Sequence, residues 1–548
     1  MTVQAWLEGA LADSTRRGLP QLRPLLEGLA ASLTQLRAAD FSPGAAPRDA
    51  VTPAGPNVMA EVLRHAPGAS PVAPAAPAAS AGAHSASPAV ATRPARIALP
   101  TSAPTIQEFT EQLRAGRTSS VAATEACLAA IADKDGALNA FIAVTRDEAL
   151  ARARQADAEL AAGHDRGPLH GVPISLKDLF DVRGVATTAA SNVRRHDVAA
   201  SDCPAVIHLR QAGAVIVGKT NLHEFAFGTT NEDSGFGAAH HPLDVSRSPG
   251  GSSGGSAISV ATGMSLGTLG TDTGGSIRIP AAACGLVGLK PTSGEVSADG
   301  VVPLSTTLDH VGPLARTVTD AWHLYQALIG HPSSRPLTPS PLSGLRIGIP
   351  HRYFCDLLEP DVRAAFDAAV AAVERAGARV AHVDLSHADY IATIYLQIVF
   401  AEAAAYHAAT LEKMAERYTE PVRLRLEMAR YVLAEDYLRA MAGRQALQRE
   451  VDAALSWHDV LLLPTLPIAA PPIGAATVTI NGAPHPVRNL MLRLTQLFNI
   501  TGHPAVSLPC GHALSGLPVG LQLVGRRHET DVLMHIALGV ERELGVYR

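Results

Sequence analysis

Five cysteines are scattered through 548 residues, at positions 127, 203, 284, 355 and 510, with no CxxC pair and no histidine at ligand spacing. That argues against a disulfide framework or a zinc site. Small buried thiols in a reducing compartment are expected instead. An excess of one charge is also missing. Lys and Arg number 45 against 50 Asp and Glu, a formal net charge of −5, which gives neither nucleic acid nor an anionic membrane a reason to bind. The most apolar stretch, which starts at Val460, is broken by Pro464, Pro467, Pro471 and Pro472, and a membrane helix would not tolerate four prolines there. No basic segment followed by an apolar one opens the chain, so no signal peptide is expected. These absences together point to a cytoplasmic protein. What is present is 47% hydrophobic and 17% charged residues, enough apolar surface for a large core.

Patterning divides the chain into three. In residues 1–65, Val3, Trp6, Leu7 and Leu11, then Leu22, Leu25, Leu29, Leu33 and Leu36, recur at three- to four-residue spacing. The spacing predicts two amphipathic helices that need a surface to pack on. Residues 66–104 are an Ala/Pro/Ser tract without periodicity, read as a linker. Residues 105–548 open on a capping box, Thr105 with Glu108, and alternate helical and β-branched segments. LNAFIAV from Leu138, VPISL from Val172, AVIV from Ala214 and LPVGLQLVG from Leu517 read as strands. The alternation argues for one large α/β domain of about 440 residues on a buried sheet.

Two short motifs match and are rejected on physical grounds. Gly213–Thr220, GAVIVGKT, fits the pattern of a phosphate-binding loop. Its interior, Ala-Val-Ile-Val, prefers an extended strand where that loop must curl. Gly250–Gly254, GGSSG, fits a nucleophile elbow, but the preceding SRSPG is loop where a strand is required.

The densest signal runs from Gly171 to Thr292. GVPISLKD sets Lys177 at the end of an apolar strand; SPGGSSGGS and GTDTGGSIRIPAAACGLVGLKPT follow, flanking a helix expected from Ala257. Glycine and serine read as flexible loop and Lys177 as a surface charge would leave a lysine behind four apolar residues unexplained. These strings, with FNITGHPAVSLPCG from Phe498, closely resemble the amidase signature family over about Thr105 to Arg548.

The resemblance implies a single α/β/α domain on a central mixed, twisted sheet, and amide hydrolysis by a Ser–Ser–Lys triad with an acyl-enzyme intermediate. By motif position Ser276 is the nucleophile, Ser252 the bridging serine after a cis peptide, and Lys177 the base; Ser253 is the nearest rival to Ser252. Thr273, Gly274 and Gly275, at the expected start of a helix, supply the oxyanion hole. A serine hydroxyl needs an adjacent base, and a lysine serves as one only where burial or a neighbouring cation keeps it neutral. No metal or organic cofactor is implied; the partner is a small amide. Asp272, Arg278 and Cys284 are expected to be structural, and His170 and His310 to be loop or core histidines.

The leading reading is a stand-alone amidase. A second is the glutaminase subunit of a tRNA-dependent amidotransferase, which this chain resembles at VRLRLEMARYVL, where Arg425 could meet a carboxylate. Such subunits carry an aspartate for the glutamine amino group where Leu492 stands here, beside Arg493. A third is a catalytically inactive binding protein, against which the intact Lys177, Ser252 and Ser276 argue. Residues 1–65 faintly resemble the small helical accessory subunit of some amidases. The alternative for them is a solubilising or dimer-forming helical pair, so a homodimer is among the expected assemblies.

Overall fold

The computed structural model describes residues 1–42, 103–331 and 335–545. Most of the tract read as a linker, and residues 43–65 of the segment before it, lie outside these.

Among the described residues thirteen strands form: β1 (Phe141–Val144), β2 (Pro173–Lys177), β3 (Val215–Thr220), β4 (Gly267–Asp272), β5 (Val287–Lys290), β6 (His310–Ala315), β7 (Arg346–Pro350), β8 (Arg379–Val383), β9 (Val460–Pro464), β10 (Thr477–Ile480), β11 (Ala483–Pro486), β12 (Ala505–His512) and β13 (Pro518–Val524). Eleven build one mixed sheet in the order β1-β3-β2-β4-β6-β5-β12-β13-β9-β7-β8; β10 and β11 pair apart as a hairpin. At its heart β3, β2 and β4 are parallel, and every residue in them is buried. Helices therefore cover both faces there, which is why these strands read as apolar runs rather than alternations. The phosphate-loop match is β3, a strand, for the reason its side chains indicated.

One expected strand starts late. Leu138 closes a helix, Ser120–Leu138, and Asn139 takes a left-handed conformation at φ 51° before β1 begins at Phe141. Asparagine tolerates that region and stops the helix, a boundary that apolar content alone does not mark.

The two N-terminal helices, Val3–Arg16 and Arg23–Ala38, lie against the main body. Leu22, Leu26, Leu33 and Leu36 are fully buried and belong to the same apolar core as the sheet. Burying each is worth about 1.5–3 kcal/mol in gross terms. Polar contacts fix the orientation. The Trp6 indole donates to the Tyr431 carbonyl at 3.0 Å, Arg17 pairs with Glu427, and Arg37 meets Asp436 through two parallel bonds of 2.7 and 2.6 Å. Their receiving surface is the helices Ile391–Met414, Glu420–Ala429 and Ala434–Trp457. Residues Ala388–Arg417 are long and apolar enough to cross a membrane by composition, yet 61% of the apolar 18-residue window within them is buried inside the protein.

Candidate active site

Strand polarity sets the site. β2 and β4 are parallel neighbours, with Leu176 opposite Leu269, so their carboxyl ends open on the same edge. That edge of an open α/β sheet is where a crevice forms. Lys177 is the last residue of β2 and Thr271 is next to last in β4. Lys177 is wholly buried. Its Nζ lies 2.8 Å from Ser252 Oγ and 2.8 Å from Thr271 Oγ1. Burial pushes the amine down to about 7, against the nearby charges of Asp309 and Asp272. The Gly251–Ser252 peptide is cis. Ser253 turns away, its hydroxyl donating to the Thr271 carbonyl at 3.3 Å. The lysine thus contacts Ser252 rather than its rival.

Ser276 sits in the loop between β4 and the helix Arg278–Cys284, so the helix starts two residues later than its sequence suggests. The loop is tied back to the Ser252 segment through backbone: Ser253 N–H donates to the Ser276 carbonyl at 3.3 Å. Lys177 and Ser252 are joined directly, whereas the Ser276 hydroxyl is hydrogen-bonded to neither. Among the described residues no protein group accepts from the N–H groups of residues 273–276. Buried backbone donors are seldom left so, which makes these four candidates to receive a negatively charged oxygen. Side chains are excluded here by space. A Cβ on Gly274 would lie 2.5 Å from the Tyr395 hydroxyl and 3.0 Å from Leu492 Cδ2. One on Gly275, at φ +135°, would lie 2.2 Å from Thr495 Oγ1, which itself donates to the Gly274 carbonyl at 2.6 Å.

Asp272 and Arg278 brace this loop. Both are wholly buried and paired at 2.9 Å, and Asp272 Oδ2 also accepts from the Ile277 N–H at 3.2 Å. Burial disfavours the Asp272 charge, but Arg278 outweighs it and holds the carboxyl below its usual range. Arg278 further donates to the Thr495 carbonyl, Gln522 and Asn499 at 2.9, 3.1 and 2.7 Å. Asp309 accepts from the Thr273 hydroxyl at 2.5 Å and from the Leu304 and Ser305 N–H groups; burial pushes it up to about 6. The Cys284 thiol packs against the Pro249 carbonyl at 3.5 Å. His170 and His310 are buried, each with a ring nitrogen on a backbone carbonyl, Ala156 and Leu308 respectively. Among the described residues, no cluster of three His, Cys, Asp or Glu side chains is placed to hold a metal ion.

A second polar cluster lies beside the first. Arg425 donates to the Phe227 carbonyl at 2.8 Å and pairs with Asp233 at 3.2 Å, and Asp233 also meets His223 at 3.1 Å. Arg488, half-buried on the helix Val487–Arg493, reaches the same Phe227 carbonyl at 3.4 Å. Leu492, one turn further along that helix, is the residue against Gly274. Sequence reading missed Thr271, Tyr395, Asp309 and Arg488. Thr271 stands inside the quoted motif that begins at Gly270 and so was within reach. Arg488 carried one signal, its position four residues before Leu492, which places the two on one helical face.

Comparison with known proteins places the chain in a family. The family model described as amidase matches residues 122–533. A glutamyl-tRNA(Gln) amidotransferase subunit of Anaeromyxobacter sp. (strain K) is 42% identical over 469 residues, 78% of this chain and 93% of that protein. Among solved structures, an amidase superposes with a TM-score of 0.76 at 37% identity, over 80% of this chain and 99% of its own. The peptide amidase of Stenotrophomonas maltophilia superposes at 0.69 and 31%, over 81% and 97%. The chain is therefore an enzyme of the amidase signature family, with the large mixed sheet of that fold and the amide-cleaving chemistry its members share.

Proposed function

We propose that this enzyme hydrolyses a small carboxamide through Lys177, Ser252 and Ser276. A buried amine with a pKa of about 7 is neutral in a large fraction of molecules at neutral pH. It then has one lone pair, which the Ser252 hydroxyl can meet, while an N–H is taken up by Thr271. Ser252 passes its proton to Lys177 and accepts that of Ser276. Ser276 Oγ forms the bond to the amide carbon, and the carbonyl oxygen gathers charge against the N–H groups of Thr273, Gly274 and Gly275. As the C–N bond breaks, the proton returns through Ser252 to the leaving amine. Water then attacks the acyl ester by the same route, releasing the acid and restoring Ser276.

The observation that carries this reading is the 2.8 Å contact of the buried Lys177 amine with Ser252. Labelling the full-length enzyme with a fluorophosphonate and locating the adduct by mass spectrometry tests it. The adduct belongs on Ser276, and Ser276→Ala loses both label and turnover; an adduct on Ser252 would overturn the assignment.

A second reading rests on the relatives that are glutamyl-tRNA(Gln) amidotransferase subunits. Leu492 speaks against it, since an apolar side chain beside Gly274 offers nothing to the ammonium of glutamine. Assays across aliphatic, aryl and ureido amides and glutamine separate the two. Turnover of glutamine alone would reverse the order.

A further inference from the structure

Arg488 stands beside the candidate site without a carboxylate of its own. Its guanidinium touches the Phe227 carbonyl at 3.4 Å and lies 5.7 Å from the centroid of the Phe227 ring. Arg425 takes the same carbonyl more closely and holds the nearby carboxylate, Asp233. Two guanidinium groups thus share one carbonyl oxygen, and the nearby carboxylate is engaged by Arg425 and His223. The Arg425 Nε–H has no protein acceptor among the described residues.

Position links this excess of cation to the reacting loop. Arg488 is one helical turn from Leu492, which together with Tyr395 closes over Gly274. Arg488 is also close enough to Tyr395 for each to shift the other's ionisation. Burial first, then the charge of Arg425, pushes Arg488 down to about 9. A half-buried guanidinium crowded by another cation is stabilised by any anion that reaches it, and a carboxylate matches its planar fork.

We propose that Arg488 binds a carboxylate carried by the amide substrate, so that this enzyme selects small anionic amides over neutral ones of the same shape. Sequence resemblance pointed to Arg425 for such a role, but in the folded protein Arg425 is already paired. The proposal rests on the acyl-transfer reading for where the amide lies, and its test does not need turnover.

Calorimetry on full-length Ser276→Ala protein compares oxamate, malonamate and succinamate with oxamide, malonamide and succinamide. At least one anionic amide is expected to bind tenfold or more tightly than its neutral counterpart. Arg488→Gln in the same background should bring that ratio below about twofold, with an unchanged melting temperature. If Arg488→Gln does not fold, Arg488→Lys decides: it keeps the charge but loses the fork, and the ratio should fall severalfold. Absence of any anionic preference, or a preference that survives these substitutions, overturns the proposal. The acyl-transfer reading fails on a different result, an adduct away from Ser276.

Discussion

Thr271 Oγ1 accepts from the Lys177 amine at 2.8 Å, the same distance that separates that amine from Ser252. A neutral amine has one lone pair, and an acceptor for an N–H determines where the lone pair points. Thr271→Val keeps the shape and removes that acceptor. It is expected to lower kcat about tenfold with little change in KM, a loss of about one hydrogen bond's net worth. Steady-state kinetics decide it: an unaltered kcat would mean that Ser252 alone orients the amine.

The pH dependence follows from the Lys177 amine lying near 7 in the folded enzyme. Base catalysis requires the neutral form, so kcat/KM should climb with pH and level off above a midpoint of about 7. Lys177→Ala should cost about 10²–10⁴-fold and flatten that rise. The slope of stability with pH has the same sign as for a salt-bridged carboxylate, since both groups have a folded-state pKa below the unfolded one, but here the charged form is the one burial penalises. Between about 7 and the ordinary lysine value of 10.5, the unfolded chain holds a proton that the folded one has lost, so stability increases with pH across that window and is lowest below it. Lys177→Met should be the more stable protein at pH 6, by an amount that shrinks as pH rises towards 10.5. Parallel denaturation curves for the two proteins would contradict the burial argument.

Legibility followed chemistry more closely than geometry. Lys177 was recognisable because a lysine behind Pro-Ile-Ser-Leu sits at a strand end, and its burial is what the apolar run implied. Ser252 was set ahead of Ser253 by motif position alone; the turn between them points the Ser252 hydroxyl at the amine and the Ser253 hydroxyl at a carbonyl. Helix starts and strand starts drifted by two or three residues at Ser276 and Leu138, where Asp272 and Asn139 act as local stops. Arg488 lay outside the reading altogether. Its meaning depends on Phe227, Arg425 and Tyr395, residues far apart in the chain that only the fold brings together.

Gly275 offers a test of the loop that precedes Ser276. An alanine there would have to adopt φ +135° and would crowd Thr495, which holds the Gly274 carbonyl. Gly275→Ala is expected to cost about 10²–10³-fold in kcat, the scale of losing one oxyanion donor, for about 1–3 kcal/mol of stability. Thermal melting and kcat measured together separate the effects. Full activity in the alanine variant would show that this backbone does not need its present conformation.

One polar contact that holds the N-terminal pair of helices is the ion pair of Arg37 with Asp436. Asp436 is 1% exposed, and both of its carboxylate oxygens are taken by Arg37. Removing only the cation leaves a buried charge with no counterpart, a change that typically costs about 3–5 kcal/mol. Arg37→Met should therefore lower the chemical-denaturation midpoint markedly. Changing Asp436→Asn in the same chain removes the stranded charge and should recover at least half of the loss. A surface ion pair of ordinary kind would give less than about 1 kcal/mol and no recovery. Because the helix Ala434–Trp457 that carries Asp436 packs on Ile391–Met414, which carries Tyr395, the same variant should also raise KM while leaving the Ser276 adduct intact. An unchanged denaturation midpoint in Arg37→Met would show that the two helices are held by their leucines alone.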